Sequence, residues 1–298
     1  MADIFQLVGT VPAEFRFEKR PGSLRQISVG NRLTVWGIND ASDVFEFNRD
    51  TGVFEPRSQT VPGGKLELVS AAQGGGVWGI NASSDVFQLD LDTKLFQQVP
   101  GLKLRIIRAG GTGGAWGINA DSDVFTLENL TFQKIDDIKL NIISVGPHCN
   151  PWGINADSDV FRWHVELDQP VFLPVPGQKL TSIAVGDDAP FDTPPFAEVW
   201  GLNVRPPNGV ITLHDIFHFD PDFTTTPTSG LFFQKAGELL MIAASVDAGV
   251  WGINAFHDVF FFNGVADQFQ PVPGQQLDAI AVGSDDVWGL STFVPPPH

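Results

Sequence analysis

Tryptophan, asparagine and aspartate recur together in this chain, and they are the residues with which it could hold a ligand. The stretch Val77-Trp78-Gly79-Ile80-Asn81-Ala82-Ser83-Ser84-Asp85-Val86-Phe87 places an indole, a bare backbone, an amide and a carboxylate close together. An amide offers two donors and an acceptor, whereas an ionised carboxylate only accepts. An apolar ring beside a few fixed polar groups is what a sugar requires. The stretch returns at 35–45, 115–125, 151–161 and 250–260, each time with the Asp seven residues after the Trp. A sixth copy, Val199-Trp200-Gly201-Leu202-Asn203, has its Asp215-Ile216-Phe217 displaced by a longer loop. A seventh, Val287-Trp288-Gly289-Leu290, lies near the C-terminus, and its missing Asp-Ile-Phe stands at Asp3-Ile4-Phe5.

The five regular copies supply the candidate carbohydrate-binding residues. They are Trp36 and Asn39, then Trp78, Gly79 and Asn81, then Trp116, Gly117 and Asn119, then Trp152, Gly153 and Asn155, and finally Trp251 and Asn254. Insertions disturb the Trp200 copy, and Ser291 replaces the Asn of the Trp288 copy. A second role competes at every position. A glycine inside a strand marks close approach by another group, and a neighbouring Trp lying over it would make the indoles core. Asn suits a turn as well as a hydroxyl. The aspartates Asp3, Asp43, Asp85, Asp123, Asp159, Asp215 and Asp258 each open a strand after the turn, where a carboxylate can accept backbone N–H groups.

Other chemistry is thinly represented. Asn119-Ala120-Asp121-Ser122-Asp123 resembles the start of a calcium loop but lacks that loop's Gly and distal Glu. The histidines are His148, His164, His214, His218, His257 and His298. His214 and His218 share a face if their segment is a strand, which would allow a metal pair, but solvated or turn roles fit them better. Cys149 is a lone thiol beside His148 with no third orienting group. There is no Gly-rich phosphate loop and no nucleophile elbow. The expectation is therefore no enzyme, no metal and no cofactor. A formal net charge of −17 argues against nucleic acid and anionic membrane as partners. No apolar run is long enough to span a bilayer, and no secretory leader is seen.

The elements that must position these residues read as short strands. Leu66 to Ser70 alternates, Val77 to Asn81 follows a glycine turn, Asp85 to Leu89 follows a tight turn, and Leu95 to Val99 ends at Pro100-Gly101. Such segments, bounded by Gly and Pro, indicate an antiparallel all-β fold. The register is tight, with twelve residues from Leu24 to Trp36, Leu66 to Trp78, Leu104 to Trp116, Leu140 to Trp152 and Leu239 to Trp251. Four-strand repeats of about 40 residues are propeller blades. Counting Trp-Gly copies predicts one domain over 1–298, a seven-bladed β-propeller of four-stranded antiparallel blades. The terminal strands share one blade and close the ring, which removes open sheet edges. The irregular region runs from Asp187 to Gly230 and carries three insertions.

The pattern Leu-x-x-Ile-x-Val-Gly, Val-Trp-Gly-Ile-Asn, Asp-Val-Phe, Phe-x-x-Val-Pro-Gly resembles the tectonin repeat, and the resemblance covers essentially the whole chain. It is sharpest at Leu180 to Gly186 with Val199 to Asn203, and at Leu277 to Gly283 with Val287 to Leu290. Tectonin proteins resemble β-propeller lectins of fungi, slime moulds and invertebrates. Fungal members resemble defence lectins that bind surface glycans, O-methylated ones included, from a cytoplasmic store. The relatives of that name mostly have six blades, the fallback count here. They commonly carry Gly and Tyr where this chain has the Asp and Phe of Asp-Val-Phe. The resemblance implies multivalent glycan binding. A propeller that binds proteins without a sugar site is the alternative, and an enzyme with its site near residues 187–230 is the third reading.

Overall fold

The computed structural model describes residues 1–298 apart from 112, 129–130, 165–169, 188–197, 205–213, 223–228 and 294–298. His298 and most of the three inserted stretches, with any role the third reading gives them, lie outside the described residues.

Among the described residues there are seven sheets, each of four antiparallel strands. The chain forms a seven-bladed β-propeller. Blades 1 to 6 run through 26–56, 68–103, 106–139, 142–175, 182–238 and 241–272, each strand pairing with the next in sequence. The seventh blade is shared. Its strands in spatial order are Arg16–Leu24, Ala2–Val8, Val287–Ser291 and Ala279–Val282. Asp3 pairs with Ser291, Ile4 with Leu290, Phe5 with Gly289 and Gln6 with Trp288. The closure is buried, since Ile4 and Phe5 are within the core. Gln6 also donates to Asp286 Oδ1 at 3.1 Å, and Trp288 Nε1 donates to Asp286 Oδ2 at 2.7 Å.

Alternation sets the packing. Trp78 and Ile80 face blade 3, joining Leu104, Ile107 and Ala115 in one apolar cluster. Val77 faces the other way, into the cluster that holds Trp36 of blade 1. Each blade therefore buries both faces, as the near-continuous apolar runs Val-Trp-Gly-Ile require.

Each Trp meets the outer strands of the following blade. Trp36 packs edge-on to Phe96, Trp78 to Phe132, and Trp116 to Trp163 and Phe172. Trp152 meets Phe219 and Phe232, Trp200 meets Phe262 and Phe269, and Trp251 meets Phe15 and Phe17. Trp288 meets Phe47 and Phe54 of blade 1, which completes the circle. Tilted and edge-on contacts of this kind add to simple area burial.

The glycine partner differs from expectation. A β-carbon on Gly79 would lie 2.4 Å from Leu66 Cδ1, and one on Gly37 2.3 Å from Leu24 Cδ1. The same leucine contact recurs at Gly117, Gly153, Gly201, Gly252 and Gly289. The group over the bare backbone is thus the leucine that opens the same repeat, and the indole of the neighbouring blade is elsewhere. Trp and Gly alternate in the strand, so the two point to opposite faces.

Candidate functional site at the blade junctions

The rim that carries the Asn-to-Asp turns is built identically in the five regular copies. Asn81 Oδ1 accepts the N–H groups of Ser83 and Asp85, both at 2.9 Å, and its Nδ2 donates to Asp85 Oδ2 at 3.1 Å. Asn39, Asn119, Asn155 and Asn254 make the same three bonds. These bonds hold a left-handed residue, Ser42, Ser84, Ser122, Ser158 or His257, at φ between 62° and 66°. The strain of that conformation in a non-glycine residue is offset by the amide-capped turn.

The turn is also a latch between blades. The carbonyl of its left-handed residue accepts the N–H of the next repeat's leucine, as from Leu66 to Ser42 at 3.1 Å and from Leu104 to Ser84 at 3.0 Å. The lysine before that leucine pairs with the turn Asp. Lys65 reaches Asp43 at 2.5 Å, Lys103 reaches Asp85 at 2.6 Å, and Lys179 reaches Asp159 at 2.5 Å. Asp123 takes two, Lys134 at 2.8 Å and Lys139 at 2.7 Å, which together hold its carboxyl well below the usual range. At the shared blade Lys19 reaches Asp3 at 2.5 Å. Gln276 stands in the lysine position opposite Asp258, at 3.4 Å.

Trp, Gly and Asn therefore do not converge on open space in these copies. All seven repeat indoles are at most 3% exposed. The glycine notch, expected to leave room for a small apolar substituent, is filled by leucine. The amide oxygen is committed to two backbone donors. A sugar ring could reach such an indole only by displacing the next blade's phenylalanine.

Open space does occur on this rim, at the junction of blades 5 and 6. A cavity of about 570 Å³ is lined there by His214 and Ile216, by 236–240, by Asn254, Ala255 and Phe256, and by Phe260, Gln268 and Phe269. The displaced Asp explains it. In blade 5 the second and third strands continue pairing through Asn203–Asp215 to Val204–His214, so no tight turn forms after Asn203. His214 then takes the place of the left-handed serine, its carbonyl accepting the Leu239 N–H at 3.2 Å.

The walls of the cavity are mainly apolar, and Phe256 and Leu240 stay exposed at 65% and 40%. Four polar residues punctuate them, His214, Glu238, Asn254 and Gln268. His214 Nδ1 is buried without a hydrogen-bond partner among the described residues. Burial also pushes this imidazole below its ordinary pKa, which favours the neutral ring at neutral pH. A neutral imidazole offers one donor and one acceptor.

Asn254 is the only expected sugar contact in this lining. Trp251 lies beneath, buried, with its indole N–H given to Ala248 O at 2.7 Å. The other lining residues escaped sequence reasoning because Ile216, Phe260 and Phe269 look like ordinary core positions. The available signal was the insertion before His214, at the copy expected to be impaired. His214 and His218 do not form a metal pair as described. His218 stacks on Trp200 at 4.4 Å, with Nε2 3.4 Å from Glu198 Oε2. Among the described residues no group of three or more His, Cys, Asp or Glu is placed to hold a metal.

The family model described as Tectonin domain matches residues 2–113 and 103–293. The chain belongs to the tectonin family. A comparison with curated proteins gives no match. Among solved structures this tectonin propeller is similar to Prp20p from Saccharomyces cerevisiae, with 10% identity, a TM-score of 0.69, and 98% and 92% of the two chains covered. That work concerns Prp20p and its binding to Gsp1p and histones. Human WBSCR16 is similar at 9% identity and a TM-score of 0.68, over 98% and 99% of the chains. YCF48 from Cyanidioschyzon merolae is similar at 13% identity and 0.61, over 97% and 96%. At these identities the likeness is one of fold.

Proposed function

We propose that this tectonin propeller is a lectin, a non-enzymatic protein that binds surface glycans, methylated ones included, in the cavity between blades 5 and 6. The observation that carries the reading is the cavity itself. Its volume of about 570 Å³ lies within the range of small-ligand sites, roughly 300–1,000 Å³. Its apolar walls suit a ring face or an O-methyl group. The buried Nδ1 of His214 has no partner among the described residues and would gain one from a sugar hydroxyl. Recognition of glycans by a defence protein held in the cytoplasm belongs to the same proposal, and rests on the family resemblance.

The site differs from the repeated junction sites expected from sequence. On this reading avidity would come from arraying several molecules on a glycan surface. A glycan array with purified protein tests the function. Binding by the wild type, lost in His214→Ala, is the expected result.

The second reading, a peptide-binding propeller, draws on the exposed Phe256 and Leu240 beside the cavity. It would gain if the array is blank while immobilised peptides with bulky apolar side chains are retained in a Phe256-dependent way.

A further inference from the structure

The cavity between blades 5 and 6 coincides with a missing contact between blades. The residue after each repeat leucine holds a fixed place beside the turn of the preceding blade. Its N–H goes to the carbonyl two residues after the Trp, from Glu67 to Ile80, Asn141 to Ile154, Leu240 to Ile253 and Asp278 to Leu290, each at 2.7 Å. At three junctions its side chain also meets a polar atom of the turn. Ser42 Oγ donates to Glu67 Oε1 at 2.7 Å, and Ser122 Oγ to Asn141 Oδ1 at 3.0 Å. His257 Nδ1 lies 3.2 Å from Asp278 Oδ1 and 3.3 Å from Leu277 O. Ser84 and Ser158 are followed across their junctions by Arg105 and Thr181, which bond Asn119 O and Leu202 O. Neither of those serine oxygens is buried without a partner. At the shared blade Ala2 precedes Asp3 and has no polar side chain to satisfy.

His214 and His257 are equivalent. Each precedes the turn Asp, and its carbonyl accepts the N–H of the next leucine, at 3.2 and 3.0 Å. Between blades 6 and 7 the junction is closed. Asp278 faces the imidazole and accepts the Thr292 N–H and Oγ1 at 2.6 and 2.7 Å, while Phe293 covers the His257 ring at 4.6 Å. Between blades 5 and 6 the place of Asp278 belongs to Leu240, the one apolar residue among the seven that follow a repeat leucine. His214 Nδ1 is buried there without a partner among the described residues, and His214 and Leu240 both line the cavity. A second departure concerns charge. The residue before the leucine is Lys65, Lys103, Lys139 or Lys179 in four repeats, and Glu238 here. Among the described residues no lysine or arginine lines the cavity.

We infer that Leu240 is the specificity-determining residue of this cavity, leaving the His214 ring to an uncharged oxygen of the ligand and turning anionic ligands away. The inference rests on the reading of this cavity as the glycan site, and it narrows the ligand to neutral sugars. A carboxylate in place of Leu240 would satisfy the imidazole from within the protein, and a leucine methyl cannot. The unmet ring nitrogen is costly, and a ligand oxygen recovers that cost. Leu240 and Phe256 offer apolar surface to the carbon skeleton beside it. An anion would lose water in a cavity that Glu238 also lines, with no lysine or arginine to offset the loss.

Two measurements test it, the first without ligand. Leu240→Asp should pair with His214 as Asp278 pairs with His257. It should therefore lower the melting midpoint by about 2–4 °C more in a His214→Ala background than in the wild type. Leu240→Asn, which matches the Asn141 junction, covers the case in which the acidic variant fails to fold. Equal shifts in the two backgrounds would overturn the inference. The second measurement is ligand-observed NMR with two matched pairs, acetanilide with benzoate and a neutral methyl glycoside with methyl glucuronide. The neutral member should bind at least about tenfold more tightly in each pair, and Leu240→Asp should weaken acetanilide by a similar factor. Acetanilide bound with no sugar bound would remove the glycan reading and uphold the role of Leu240. Benzoate or glucuronide held as tightly as its neutral counterpart, or neither neutral probe bound, would overturn the inference.

Discussion

Leu66 Cδ1 lies 2.4 Å from the point where a β-carbon on Gly79 would stand. The contact joins the first residue of a repeat to the second strand of the same blade, and it recurs around the ring. A methyl group there cannot be absorbed by solvent, because Leu66 is fully buried. Gly79→Ala should therefore destabilise the protein by about 1–3 kcal/mol, the usual range for overpacking. Chemical denaturation checks this, and the double variant Gly79→Ala with Leu66→Ala should show non-additive loss, as expected of residues in contact.

Trp116 carries the adjacent face. It is 3% exposed and meets both Trp163 and Phe172 of blade 4, at 4.9 and 5.8 Å. Its indole N–H donates to Cys149 O at 3.0 Å. Trp116→Ala should cost about 3–5 kcal/mol, as for other large buried aromatics. Equilibrium unfolding would show it, and glycan binding by the folded fraction should persist, since Trp116 is remote from the cavity at blades 5 and 6.

The rim latches give the protein an acid limit. Lys134, Lys139 and Asn119 all bond Asp123 and hold its carboxyl well below the ordinary value. Asp43, Asp85 and Asp159 are lowered in the same way, chiefly by Lys65, Lys103 and Lys179 respectively. A carboxylate whose folded pKa is depressed stabilises the fold fully above its unfolded pKa, near 3.9. That contribution is lost as pH falls toward the folded pKa. Stability should thus decline below about pH 5. Asp123→Asn should lower stability at neutral pH and flatten the acid slope, as measured by unfolding at a series of pH values.

Much of this was legible in the sequence. The seven Trp-Gly copies and the split Asp3-Ile4-Phe5 specified seven blades and a shared closing blade, because each copy is a strand pair of fixed length. The partner of the glycine was misjudged, since sequence spacing does not say which large side chain fills a notch. The leucine was itself visible in the register, twelve residues before the Trp in five of the repeats. The rim chemistry was legible only as an alternative. Asn, turn and Asp can hold a sugar or hold themselves, and the residue types alone do not choose. The open cavity was hidden because it arises from an irregularity. Continued pairing of Asn203 with Asp215 removes a turn, and repeat logic treats such a copy as damaged.

The most direct measurement is a calorimetric titration of the purified protein with a methylated monosaccharide. Heat with a stoichiometry near one is expected for the wild type. His214→Ala and Phe256→Ala should abolish it, and Asn81→Ala, in a regular turn away from the cavity, should leave it unchanged. No heat with any glycan tried, or binding that survives both cavity changes, would contradict a glycan site between blades 5 and 6.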